Sequence, residues 1–368
     1  MKRLLALTLA LLMLLTLAAC GGGGGGGGGG ATTDDGRQTI TLTIGAGHPA
    51  GTIGHVTGAQ DQFQVDVSRL AAERTNYDIQ WIEAYGATIA ALSEMVDATQ
   101  RGLLDIGVIN KLFVSSDLFL HGIAFFVPMT TDDTTVLAEV MEIMYEEFPY
   151  FKDVLENDFN QKFLGMGFNG GFQLFSNRPV YTMEDLRGLR IAGAGANLHW
   201  LANTGAVPVQ DAISNGYTSI QTGVYDAWLM LADSIMRFRI HEVAPYDILV
   251  NFGSAPNGIL TVNLDTWNSL PPEIQEILVE AGQLYSADQP VRANIDDAYA
   301  RAFMQSEGMT TIEFPEEERE KWIAALPNVP NIWVEEAESM GFPGRQMMDR
   351  FLELFAERGV TLPLETWG

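Results

Sequence analysis

From Thr39 onward, short runs of strand character alternate with helical stretches, and this alternation constrains the fold more than any other feature. Residues 39–45 read as a strand and are followed by a helical pattern over about 56–74. A strand at 77–84, a helix at about 89–101 and a strand at 104–109 complete a βαβαβ opening, which predicts a mostly parallel sheet. Ligands of such sheets bind beyond the carboxyl ends of the strands, so the loops at 48–55, Tyr85-Gly86 and Asn110-Lys111 are candidate site segments.

A helix over about 133–147 precedes a second alternation: strands at 163–168, 172–175 and 189–192, short helices near 197–203 and 211–222, and strands near 246–250 and 258–262. The folded part runs to about 330 residues, more than one hydrophobic core usually organises, so an α/β fold of two lobes is expected. Ser269-Leu270-Pro271-Pro272-Glu273 reads as a helix start with Ser269 as its cap. The helical pattern continues to about residue 307 through Pro290, which should kink it, and a helix of this length is expected to cross both lobes. Helices at about 316–325 and 331–357 follow.

Ahead of this region, Lys2 and Arg3 precede an apolar run at 4–15 that ends in Leu17-Ala18-Ala19-Cys20. The run is too short for a bilayer core of about 30 Å, and small residues before a cysteine suit a lipoprotein signal peptide spanning 1–20. Cys20 is the only cysteine and is expected to carry lipid. Ten glycines, Gly21 to Gly30, begin a flexible tether over 21–37. Loss of Lys2 and Arg3 moves the net charge from −26 to −28, which excludes nucleic acid as a partner class because phosphate backbones demand the opposite sign.

The stretch Pro179-Val180-Tyr181-Thr182-Met183-Glu184-Asp185-Leu186-Arg187-Gly188-Leu189-Arg190-Ile191 is followed by Gly205-Ala206-Val207-Pro208 and by 217–226, Tyr-Thr-Ser-Ile-Gln-Thr-Gly-Val-Tyr-Asp. In this order and spacing the segments resemble the extracytoplasmic solute receptors of tripartite ATP-independent periplasmic (TRAP) transporters, of the dicarboxylate-receptor type. Gln100-Arg101-Gly102-Leu103-Leu104-Asp105, Glu242-Val243-Ala244-Pro245-Tyr246 and 267–275 extend the likeness over nearly all of the chain after residue 38. The resemblance implies a periplasmic-binding-protein-like fold with a mixed sheet in each lobe and a long lobe-spanning helix. Lobe I would comprise 38–169 plus about 258–297, and lobe II 170–257 plus about 298–368. It also implies capture of a small organic solute by lobe closure, delivery to the membrane subunits of a TRAP permease, no cofactor and no catalysis. A ligand sensor for a membrane receptor kinase and an exported α/β enzyme are the rival readings.

Departures from the family pattern shape the expected pocket. Most members place an arginine directly after the strand core that here ends at Ile191, to clamp a substrate carboxylate; this chain has Ala192. A second family arginine aligns with Phe172, and a common glutamate with Asn215. Ile213 and Met230 also replace polar positions. The expected lining is Phe172, Gln173, Ala192, Ile213, Asn215, Trp228 and Met230 from lobe II, with His48, Tyr85 and Lys111 approaching from lobe I. Without the arginine clamp a buried dicarboxylate would lack its charge-assisted partners, so a neutral or weakly anionic ligand with an apolar face is expected. Residues 45–51 make no complete dinucleotide-binding loop because Pro49 interrupts the pattern, and His48, His55, His121 and His199 lack metal-ligand spacing.

Overall fold

The structure is a computed structural model that describes residues 36–363; the leader, Cys20 and the glycine tract lie outside the described residues. The strands are β1 (Gln38–Gly45), β2 (Tyr77–Ala84), β3 (Ile106–Asn110), β4 (Gln161–Gly167), β5 (Gln173–Ser176), β6 (Arg190–Gly193), β7 (Val207–Gln210), β8 (Ala227–Met230), β9 (Tyr246–Leu249), β10 (Gly258–Asn263) and β11 (Thr310–Glu313). They form a five-stranded sheet ordered β2-β1-β3-β10-β4 and a six-stranded sheet ordered β11-β9-β5-β8-β6-β7. No helix among the described residues is long and apolar enough to cross a membrane.

Each sheet contains one reversed strand, and the connectivity explains which. In the first sheet only β10 runs against its neighbours β3 and β4. In the second only β5 does so, between β8 and β9. Both are entered from the other sheet: β4 leads to β5, and β9 leads to β10. Strands formed by ordinary crossovers end at the junction between the lobes, whereas a chain arriving across the junction must begin its strand there and run backwards. The sheets are therefore mixed, and nearly every strand still presents its carboxyl end to the cleft.

Period-two alternation divides each sheet into two buried faces. In the second sheet, Leu174, Ile191, Leu229 and Ile248 face a core shared with Trp322, Trp333, Met348 and Phe351. The opposite face carries Phe175, Ala192 and Trp228, packed with Tyr225, Ile235 and Met304. In the first sheet, Ile44, Ile106, Val108 and Leu260 pack with Val67, Leu70 and Leu278, while Ile109 and Ile259 join Met95, Val96 and Leu155.

The long helix spans Pro272–Ser306 and passes through Pro290 without a break. Its first half buries Ile274, Leu278, Ala281 and Tyr285, and its second half buries Ala300 and Met304 in the same apolar cluster. Gly165 lies so close to the helix that an added Cβ would stand 2.7 Å from the Gly282 carbonyl oxygen. The start of this helix differs from the expectation. Pro271 is the cap, and Ser269 instead ends the preceding helix Leu264–Ser269, its hydroxyl donating to the Thr266 carbonyl at 2.7 Å. The segment expected as one helix at 331–357 is two, Val329–Ser339 and Gly344–Glu357, because Gly341 turns into the left-handed region and Pro343 follows. A further helix, Tyr150–Phe159, has no counterpart among the expected elements.

The Thr182 motif acts as a local stop and start. The Thr182 hydroxyl accepts from Asp185 N while Asp185 Oδ2 accepts from Thr182 N at 2.9 Å, a reciprocal cap that turns the chain into β6.

Candidate functional site

The carboxyl ends of β3, β6, β7 and β8, the loop after β1 and the entry to β10 converge on one cavity between the lobes. His48, Ile53, Asn110, Leu112 and Phe113 line it from the first lobe, and Asn257 from the crossing into β10. Ala194, Asn197, Asp211, Ile213, Trp228 and Met230 line it from the second. The cavity's volume is about 20 Å³. That is room for a water molecule, not for a sugar or an organic acid. The two lobes are thus shut on each other, and an organic guest enters only when they part.

The contact that seals the cavity is backbone against backbone. Gly195, after β6, has φ +55°, and a Cβ there would penetrate the Leu112 carbonyl oxygen and stand 3.1 Å from the carbonyl carbon. Only glycine meets both conditions, a left-handed backbone and an unobstructed approach. Across the cleft mouth, Arg237 Nη1 donates to the Gly51 carbonyl at 3.0 Å and its guanidinium lies 3.6 Å from Asp296.

His48 is held in one tautomer by its neighbours. Asn110 Oδ1 accepts from Leu112 N at 3.1 Å, so the Asn110 amide nitrogen faces His48 Nε2 at 3.2 Å. Nε2 therefore accepts and the proton sits on Nδ1. Burial pushes the His48 pKa down to about 4, so the ring is neutral at ordinary pH. Its edge meets the Phe113 ring, with centroids 5.8 Å apart.

On the other wall, Trp228 is buried in register with Ala192, and it packs edge-to-face on Tyr225 at 5.2 Å. The Tyr225 hydroxyl in turn donates to Asp211 Oδ2 at 3.3 Å, while Asn215 Nδ2 donates to Asp211 Oδ1 at 2.7 Å. Asn197 Oδ1 accepts from Ala194 N at 3.0 Å. No lysine or arginine lines the cavity among the described residues.

Of the ten residues expected from the sequence, the structure brings His48, Ile213, Trp228 and Met230 together. The other six lie off the cavity. Phe172 is wholly buried against Phe125 and Trp200, because it shares the parity of Leu174 and both turn to the helical layer. Gln173 bonds Asp132 and Asn251, each at 2.9 Å, and lines a separate polar cavity of about 200 Å³ with Asp297 and Arg301. Ala192 sits beneath Trp228 in the apolar cluster, which also contains Phe175 and Ile213. Asn215 is exposed and serves Asp211. The Tyr85 hydroxyl donates to Gln64 Oε1 at 2.6 Å. Lys111 is buried with its ammonium on the His121 carbonyl at 3.1 Å, and burial pulls its pKa down to about 7.

Arg190 does not replace the missing clamp, for it forms a two-pronged pair with Asp226 at 3.0 and 3.1 Å. Among the described residues no group of three or more His, Cys, Asp or Glu side chains is placed to hold a metal ion.

The profile of bacterial extracellular solute-binding protein family 7, the DctP family, matches residues 55–336. The chain belongs to this family. It is 26% identical over 286 residues to a solute-binding protein of Sulfitobacter sp. strain NAS-14.1, covering 69% of this chain and 84% of that one. It is 28% identical over 182 residues to the C4-dicarboxylate-binding periplasmic protein DctP of Rhodobacter capsulatus, covering 48% of this chain and 54% of the relative. Among solved structures it is similar in fold to a TRAP periplasmic solute-binding protein of Desulfovibrio salexigens, with TM-score 0.74 and 18% identity over 86% of this chain and 96% of that one. A Sulfitobacter TRAP receptor with bound β-D-galacturonate aligns with TM-score 0.71 and 18% identity, over 85% and 99% of the two chains. This family 7 member is accordingly an extracytoplasmic solute-binding protein with the two-lobed architecture of its relatives.

The polar residues missing from the sequence reading are Asn197, Asp211 and Asn257. Asp211 follows β7, whose Pro208 obscured a strand; β7 is an edge strand, where proline forfeits no ladder bond that the sheet needs.

Proposed function

We propose that this chain captures a small organic solute in the cavity between His48 and Trp228 and passes it to the membrane subunits of a TRAP-type permease. The observation that carries the reading is the cavity itself, walled by side chains from both lobes and sealed where Gly195 meets Leu112. A ligand that touches both walls favours the closed form by its differential contacts alone, and no covalent step is needed. His48, Asn110, Phe113, Asp211, Ile213, Trp228 and Met230 are the proposed contacts. Tyr85, Lys111, Phe172, Gln173, Ala192 and Asn215 support the walls from behind.

Lobe I is proposed as 38–169 plus about 258–297 and lobe II as 170–257 plus about 298–368, hinged at the β4–β5 and β9–β10 crossings and along the long helix. Cys20 is the proposed lipid attachment, with residues 21–37 as a tether to the outer face of the cytoplasmic membrane. The related receptors include ones for sialic acid and with bound galacturonate, all carboxylates. Here the cavity wall has no arginine, so the solute is one with a broad apolar face that needs no carboxylate clamp. The test is uptake of the solute released from purified protein: cells lacking this chain should lose its transport and regain it with the intact gene. Unimpaired uptake refutes the delivery role, and a Cys20→Ala protein that stays in the membrane fraction refutes the anchor.

A further inference from the structure

The sign of the ligand's charge is written in the cavity wall; this inference rests on the cavity being the binding site proposed above. Six lining side chains can hydrogen bond: His48, Asn110, Asn197, Asp211, Trp228 and Asn257. Asp211 is the one acid among them, and burial keeps His48 neutral. Asp211 is oriented by Asn215 and by the Tyr225 hydroxyl, and no ion-pair partner is found for it among the described residues. Lys111, buried between the lining residues Asn110 and Leu112 in sequence, turns its side chain away onto the His121 carbonyl.

Around this carboxylate the wall is aromatic. Trp228 packs on the same Tyr225 ring whose hydroxyl holds Asp211, and Phe113 lines the cavity opposite, braced by His48. Ring faces and a carboxylate with no cation of its own are the two features that bind an ammonium group, through the ring quadrupoles and through direct charge pairing. An anion in the same space would face the half-buried Asp211 carboxylate with no lysine or arginine on the wall to offset the repulsion.

A second, independent observation points the same way. Asn257 is buried on the cavity wall, and its Oδ1 accepts no hydrogen bond from the described residues. A buried acceptor left in this state calls for a donor from the guest. An N–H or O–H group of the guest meets that need.

We propose that the cavity takes a small organic ammonium compound, with its cationic nitrogen at Asp211 beside the Trp228 and Phe113 rings and an N–H or O–H group on Asn257 Oδ1. This departs from the carboxylate ligands named for its relatives.

The experiment incubates the soluble part, residues 31–368, with a whole-cell metabolite extract, washes it, releases bound molecules by heat, and reads them by mass spectrometry after cation- and anion-exchange separation. The expected result is enrichment of one or a few cations by the wild-type protein. Asp211→Asn, which keeps the shape and removes the charge, should lose at least nine-tenths of that enrichment while melting within a few degrees of wild type. Calorimetry with choline, D-glucuronate and D-glucose then measures charge selectivity directly, with any cation recovered from the extract titrated alongside. Enrichment of a carboxylate overturns this proposal and leaves the solute-binding reading intact, as does a neutral sugar bound equally by wild type and Asp211→Asn. Enrichment of nothing by wild-type protein overturns both.

Discussion

Replacing Gly195 with alanine puts a methyl group where the two lobes meet backbone to backbone. The new Cβ would overlap the Leu112 carbonyl oxygen and lie 3.1 Å from its carbon and 3.4 Å from its Cα. Both partners are main chain, so neither can swing aside; the lobes must separate instead. Gly195 also has φ +55°, where alanine costs about 1–2 kcal/mol whether the lobes are open or shut. Gly188 separates these two effects: its φ is +69°, with nothing within 4 Å of an added Cβ. Gly188→Ala should therefore lose about the same 1–2 kcal/mol of stability and keep full ligand affinity. If the overlap raises the closed form of Gly195→Ala by about 3 kcal/mol, its apparent affinity falls about 100-fold.

Residues 31–368 contain no cysteine, so spin labels at Ser116→Cys and Thr218→Cys, on different lobes, report the separation directly. With the recovered ligand present, the wild type and Gly188→Ala should show a short distance, and Gly195→Ala a longer, broader one. Equal distances and equal affinities for the two alanine variants would refute the closure argument.

Arg237→Ala removes the bond to the Gly51 carbonyl across the cleft mouth, and at about 1 kcal/mol for the closed form it should speed ligand release about five-fold in stopped-flow chase, with little change in association. Lys111→Met should flatten the stability profile at alkaline pH. The folded pKa of Lys111 is about 7 against 10.5 when unfolded, so the unfolded chain holds the extra proton between these values and wild-type stability rises with pH across that window, by at most about 1.4 kcal/mol per unit. Parallel denaturation curves for the two proteins from pH 7 to 10 would contradict this. Arg301→Met strips the buried Asp247 of its partner and should cost about 3 kcal/mol at pH 8 by urea unfolding. Burial already lifts the Asp247 pKa to about 6 and losing Arg301 lifts it further, so the defect should shrink toward pH 5 as the carboxyl takes up a proton; a defect independent of pH would count against it.

The architecture was legible because its signals are periodic. The βαβαβ opening, the second strand–helix alternation and the long helix through Pro290 all follow from apolar spacing and short turns, whereas the reversed strands β5 and β10 leave no mark in that spacing. Ile213 and Met230, named from the pocket positions of the family resemblance, and Trp228, two residues after Asp226, all line the cavity. Phe172 lies in the core and not on the cavity. It stands just before β5, tied by backbone bonds to Phe252 and Gly253, and its parity with Leu174 sends it into the core. No arginine stands at Ala192, but what fills the space there is a neighbour on another strand, Trp228, which no local pattern reveals. Asp211 follows β7, Asn257 precedes β10 and Asn197 lies in the short helical turn Gly195–Leu201, and single polar residues in such places carry no period. Lys111 sits one residue past β3, where the chain turns its side chain inward to the His121 carbonyl instead of onto the cleft.

The central claim is that a guest sits between the lobes and touches both. A crystal structure of the protein holding the molecule it retains through purification tests this most directly. The account predicts that molecule within contact distance of Trp228 on one side and His48 or Asn110 on the other, with the Gly195–Leu112 seam closed over it. Density bound to one lobe alone, or in the polar cavity beside Gln173 and Arg301 with nothing at Trp228, would contradict it.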